Sequence, residues 1–133
     1  MIKLVCLDTS FIADLNRKDK RALEKLKSFA KERITTTVIN IGELYKGAYG
    51  HHNVEKKLKE VDDLIQILIV LEMNATASRT YGYYYQFLKR RGELIDERDI
   101  LIASIAISFG EIRIVTRNVE HFRRIPEIEV MSY

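Results

Sequence analysis

Short unbroken apolar runs alternate along this chain with longer stretches in which apolar residues recur at three- and four-residue steps. The first kind predicts buried strands and the second amphipathic helices. Residues 2–7 (Ile-Lys-Leu-Val-Cys-Leu) read as a strand, and Asp8-Thr9-Ser10 behind them carry the side-chain acceptors that start a helix. Asp19 predicts the cap of a second helix reaching about Arg33, with Leu23, Leu26, Phe29 and Ala30 on one face. Residues 34–36 predict a brief strand. Thr37 then opens a helix that carries Ile41, Glu43, Leu44 and Ala48 and ends before Gly50.

The second half continues the alternation. An amphipathic stretch from about Asn53 to Gln66 leads into a strand over residues 67–71. Asn74 or Thr76 starts a long helix that ends near Gly92 and holds Tyr81, Tyr83, Tyr84, Tyr85 and Phe87. That segment is too aromatic to hide on one face, which predicts a part-core, part-interface helix. Residues 99–109 are apolar almost all round, the pattern of a central buried helix, and stop at Gly110. Residues 112–116 predict a fourth strand, Asn118 a short helical turn, and residues 128–131 an edge strand after Pro126. Strands alternating with helices predict an α/β fold: a short parallel sheet of four or five strands between layers of helices.

Composition narrows the class. The chain has 133 residues, 47% hydrophobic and 31% charged, with one proline, which predicts a single domain over residues 1–133 with its own core and no long disordered tract. The lone cysteine, Cys6, has no partner for an internal disulfide and sits in an apolar run, so a buried thiol in a reducing cytoplasm is expected. No stretch has the pattern of a secretory leader or the length of a membrane span. The net charge of +3 permits nucleic acid as a partner without requiring it, and each basic cluster taken singly is explained by a solvated helix face.

Three carboxylates change the picture. Asp8, Glu43 and Asp99 are far apart in sequence, yet each stands at the edge of an apolar element. Two carboxylates about 4 Å apart repel by roughly 4 kcal/mol at an effective dielectric of about 20, so a crowd of them implies a compensating cation. Each is also explicable alone, Asp99 most simply as a carboxylate in a first helical turn. Oxygen donors without clustered cysteine or histidine select Mg²⁺ or Mn²⁺ over zinc, and His51, His52 and His121 fall in polar segments that predict solvated side chains. The chain has no phosphate-binding glycine loop and no second acid two residues after Asp8.

Taken in order, Leu7-Asp8-Thr9-Ser10, Glu43-Leu44 with Gly47, Asp99-Ile100-Leu101-Ile102-Ala103, and Val115-Thr116-Arg117-Asn118 with His121-Phe122 resemble the PIN-domain ribonucleases. Within that family they resemble the VapC-like toxins of prokaryotic toxin–antitoxin pairs. The resemblance implies Mg²⁺- or Mn²⁺-dependent hydrolysis of RNA phosphodiesters. Asp8 and Asp99 would be the principal metal ligands and Glu43 would serve a second metal, with Ser10 and Thr116 orienting the carboxylates by hydrogen bonds. Arg117, and behind it Lys46, Arg123 and Arg124, would hold the RNA backbone. A homodimer and an antitoxin partner also follow from the likeness. One position departs from it: many relatives carry a fourth acid where this chain has Asn118, whose amide oxygen ligates without adding negative charge. That departure keeps a PIN-like binding module without efficient cleavage in view, and a PIN nuclease of RNA maturation or decay shares the same residues. Mutual repulsion further predicts that Asp8→Asn and Asp99→Asn stabilise the metal-free protein.

Overall fold

The structure is a computed structural model and describes residues 4–110 and 112–133. Five parallel strands lie in the order β3-β2-β1-β4-β5. Strand β1 (Leu4–Leu7) is central, and Ile2 and Lys3 of the expected strand lie outside the described residues. The chain leaves β1 through α1 (Thr9–Asn16) and α2 (Lys20–Lys27), forms β2 (Arg33–Thr37), then passes through α3 (Val38–Tyr49) and α4 (Val54–Ile67) to β3 (Ile69–Leu71). Helices α5 (Ala75–Arg90) and α6 (Glu97–Ser108) return it to the other side of β1, where β4 (Ile112–Val115), α7 (Val119–Phe122) and β5 (Glu129–Met131) complete the fold.

The period of two in the strands divides the core. Val5, Leu7 and Val115 face a cluster with Phe11, Ile12, Ala22 and Phe29, whereas Cys6, Ile112 and Ile114 face the α5–α6 side with Ile100, Ile102, Ile105 and Leu88. Helices therefore cover both faces of the sheet. Strand β1 meets this with an unbroken apolar run, while β2 buries Thr35 and Thr36 by donating their hydroxyls to the Val5 and Leu7 carbonyls. Helix α6 is the most buried, with Ile100, Ile102, Ala103, Ile105 and Ala106 inaccessible to solvent. Each large core side chain contributes about 1.5–3 kcal/mol by burial. Among the described residues no helix is long and apolar enough to cross a membrane.

Several boundaries move for identifiable reasons. Asp19 does cap α2 by accepting from the Ala22 amide at 3.0 Å, but the helix ends at Lys27 rather than Arg33. Parallel pairing of Arg33 with Leu4 requires the chain to turn back first, so Phe29 enters the core from a turn and Leu23 is left 37% exposed. Ile67 closes α4 and is exposed, and β3 begins only at Ile69. Helix α5 runs unbroken through Gly82, and its tyrosines split as expected: Tyr84 is buried and Tyr83 is 63% exposed. The stops after α5 and α6 use Gly92 and Gly110 in left-handed backbone (φ 65° and 97°).

Cys6 is fully buried, and burial, reinforced by the charge of Asp8, pushes its thiol up to about 12. The expected outcome with a disulfide reagent at pH 8 is no reaction in the native state and labelling at the rate of unfolding, read as thiolate release against denaturant concentration.

Candidate active site

The sheet order reverses at β1: the chain builds β2 and β3 to one side and returns to build β4 and β5 on the other. Such a reversal opens a crevice at the carboxyl ends of the two strands beside it. Asp8 follows β1 and Thr116 follows β4, and the Asp8 amide donates to the Val115 carbonyl at 3.1 Å, so the two ends are locked together. Asp8 is buried and receives donors on both oxygens. Thr116 Oγ1 and Ser10 Oγ donate to Oδ2 at 2.6 and 3.2 Å, and Asn40 Nδ2 donates to Oδ1 at 2.9 Å. The two hydroxyls in turn accept backbone amides, Thr116 from Asn118 at 2.9 Å and Ser10 from Arg117 at 3.0 Å. Asp8 is thereby the terminal acceptor of two relays that pin the turn after β4.

Glu43 comes from α3, whose start is held by a reciprocal cap: Thr37 Oγ1 accepts from the Asn40 amide, and Asn40 Oδ1 accepts from the Thr37 amide. The same Asn40 donates to Thr9 Oγ1 at 3.0 Å, and Thr9 donates to Glu43 Oε1 at 2.7 Å. Asp99 lies in the first turn of α6, which Asp96 caps, and is buried against His121, whose Nδ1 is 2.7 Å from its Oδ2. Asp8, Glu43, Asp99 and Asn118, with Thr9, Ser10 and Arg117, line one open cleft of about 430 Å³.

Two of the acids, Glu43 and Asp99, are under electrostatic pressure. Glu43 is held above the ordinary carboxylate range by burial, with the Thr9 hydrogen bond opposing and the charges of Asp8 and Asp99 adding. Asp99 is also raised, by burial and by Asp8, against the relief that His121 provides. Among the described residues no three acid, histidine or cysteine side chains close into a ready cage for an ion. The carboxylates face a shared cleft instead, and that geometry is the one that matters for an ion arriving from solvent. All-oxygen donors, clustered charge and an open mouth fit a hard divalent cation that keeps part of its water shell.

The structure brings together Asp8, Glu43, Asp99 and Asn118, and puts Ser10 and Thr116 on Asp8. Of the four basic residues, Arg117 lines the cleft, held through Nε by the buried carboxylate of Asp14 at 3.1 Å, which also pairs with Arg17 and accepts from Tyr133. Lys46 is exposed on the same helix as Glu43. Arg123 pairs with Glu120, and Arg124 donates to the carbonyls of Glu93 and Leu94, so neither lines the cleft. His121 is not simply solvated, since one ring nitrogen is committed to Asp99. His51 and His52 stack on each other away from the cleft. Sequence reasoning missed Asn40, Asp14 and Arg98, and named Thr9 only within the helix start and the Leu7–Ser10 motif, with no role toward Glu43. Of the three missed residues only Asn40 carried a signal, its spacing of three from Thr37.

Residues 5–128 match the PIN domain. The chain belongs to the PIN-domain family. Among characterised proteins it is 30% identical over 125 residues to ribonuclease VapC1 of Haemophilus influenzae strain R2866, covering 92% of each chain. It is 28% identical over 133 residues to the tRNA(fMet)-specific endonuclease VapC of Salmonella typhimurium, covering 100% of this chain and 99% of that one. Among solved structures, VapBC2 from Rickettsia felis bound to a DNA fragment from its promoter superposes with a TM-score of 0.88 at 26% identity, covering 98% of both chains. VapBC-1 from nontypeable Haemophilus influenzae gives 0.86 at 28% identity over 97% of both. The parallel sheet flanked by helices is thus the architecture of VapC-like PIN domains.

The hydrogen bonds correct the expectation that both aspartate-to-asparagine variants stabilise the metal-free protein. Asp8→Asn keeps one acceptor oxygen for Asn40 but turns an amide donor toward the Thr116 and Ser10 hydroxyls, which lose their common acceptor, and a cost of about 1–3 kcal/mol is expected. Asp99→Asn removes a buried charge and is expected to stabilise near neutral pH. The sign follows from linkage: the folded chain holds the Asp99 proton above its ordinary value of 3.8, so wild-type stability declines as pH rises from about 4, and the variant lacks that decline. Urea unfolding of the metal-free proteins at pH 4 and pH 7 measures both.

Proposed function

We propose that this PIN domain, residues 1–133 acting as a single domain, is a Mg²⁺- or Mn²⁺-dependent endoribonuclease and the toxin of a toxin–antitoxin pair in the cytoplasm. The observation that carries the reading is the convergence of Asp8, Glu43 and Asp99, from three separate elements, on one cleft at the switch point of the sheet. The family membership and the VapC ribonuclease relatives support the same activity.

In this reading Asp8 and Asp99 hold a divalent ion, Glu43 serves a second, and Asn118 adds a neutral amide oxygen. Bound divalent cations supply Lewis-acid activation of water and neutralise charge on the scissile phosphate and leaving oxygen. The chain's own residues supply placement. Thr116, Ser10 and Asn40 leave the Asp8 carboxylate one orientation, Thr9 orients Glu43, and His121 orients Asp99. Arg117, held by Asp14, presents its charge at the mouth of the cleft to an RNA phosphate. Lys46, exposed on α3 three residues after Glu43, adds a positive group outside the cleft, while Arg123 and Arg124 serve RNA only by leaving their present partners. VapBC and related structures support an antitoxin partner, and the exposed Tyr83 face of α5 supports a homodimer.

Asp8→Asn and Asp99→Asn are each expected to lower Mg²⁺-dependent RNA cleavage by about a hundredfold or more while far-UV circular dichroism stays native. Chelation should abolish wild-type cleavage, and full activity in either variant or in chelator refutes the assignment. Asp14→Asn is expected to raise KM for RNA and flatten its salt dependence with little change in kcat, since it loosens Arg117 without touching the acids. Sedimentation over a range of concentrations checks the dimer.

A further inference from the structure

Arg98 stands immediately before Asp99 at the start of α6 and is half exposed at the edge of the acidic cleft. Its guanidinium grips Asp96 in fork geometry, Nε to Oδ1 at 3.1 Å and NH2 to Oδ2 at 2.8 Å. The remaining nitrogen, NH1, faces Glu43 Oε2 at 3.6 Å, a charge contact too long for a hydrogen bond. The other Glu43 oxygen is taken by Thr9, so Oε2 is the one left for a ligand, and among the described residues Arg98 is the cation that pairs with it. Asp99 has His121 beside it and Arg117 is held by Asp14, so neither of those groups serves Glu43.

We propose that Arg98 is a resident countercation of the metal site, tethered by Asp96, that competes with divalent metal for Glu43 and so sets the metal concentration at which the site fills. The inference rests on the metal-dependent reading above and deepens it. Arg98 partly neutralises the acids when no metal is bound, which tempers their repulsion. The same positive charge opposes a divalent ion approaching the same oxygen. Because the contact to Glu43 is the longer and looser one, the arginine yields that oxygen without releasing Asp96 and remains at the rim as a positive group. Arg98 is a positioning and affinity-setting residue, not one that acts on the reacting atoms.

The test is Mn²⁺ titration by calorimetry of wild type, Arg98→Gln and Arg98→Lys, with no RNA present. Removing the charge is expected to tighten Mn²⁺ binding by about five- to tenfold, while Arg98→Lys, which keeps the charge but loses the fork, should remain within about threefold of wild type. Melting of the metal-free proteins gives a second readout: Arg98→Gln should lower the melting temperature without metal and gain more than wild type when Mn²⁺ is added. Equal or weaker Mn²⁺ affinity in Arg98→Gln, with native circular dichroism, overturns the competition and leaves the metal reading standing. No Mn²⁺ binding in wild type overturns both.

Discussion

The Asp8 carboxylate, buried at the end of the central strand, is the group on which the rest of the site depends. A buried carboxylate is costly unless its oxygens are met by donors, and here three side chains from three elements converge on it: Ser10 from α1, Asn40 from α3 and Thr116 from the turn after β4. Each of those donors is itself anchored. Ser10 and Thr116 accept backbone amides of the 116–118 turn, and Asn40 is half of the cap that starts α3. Satisfying one charge therefore orders the loop that carries Arg117 and Asn118 and the helix that carries Glu43. The same network that permits Asp8 to be buried is the one that assembles the cleft.

That arrangement separates the roles of the three acids. Asp8 has neutral donors on both oxygens, which leave it one orientation, while Oδ1, with a single donor, keeps acceptor capacity for a ligand. Glu43 and Asp99 are less well served, each raised by burial and by neighbouring charge, and each leans on one cationic or ionisable side chain, Arg98 or His121. A cleft of this kind has a fixed floor and two walls that gain from a cation. It suits hydrolysis by hard metal ions, in which the protein contributes geometry and the ions contribute charge. The basic groups at the mouth are likewise held, Arg117 by Asp14 and Arg98 by Asp96, so positive charge is kept near the acids without filling the cleft between them.

Much of this was legible in the chain. Largely apolar runs marked β1, β3 and β4, and alternation with helices marked a parallel sheet. The inner strand β2 is threonine-rich instead, and its buried Thr35 and Thr36 are tolerated because their hydroxyls donate to the Val5 and Leu7 carbonyls. The caps at Asp19, Thr37 and Asn74 were readable from residue type, and the structure places an amide on each. Where boundaries moved, tertiary pairing overrode local propensity: α2 stops early so that β2 can reach β1, and α4 takes Ile67 because β3 pairs with β2 only from Thr35 and Ile69 onward. Asp8, Glu43, Asp99 and Asn118 were found as a set because four segments in order resemble one family.

The sequence by itself determined the α/β class, the burial of Cys6 and of the α6 segment, and the identity of the acids, since these depend on residue type and on short-range periodicity. Only the tertiary structure decided how each acid is treated. Asn40, Thr9, His121, Asp14 and Arg98 owe their importance to partners distant in sequence, 22 positions away for His121 and Asp99 and 32 for Asn40 and Asp8. Hydrogen bonds at such separations leave no local pattern, because nothing in a helix or turn records what will lie across the cleft once the sheet has closed.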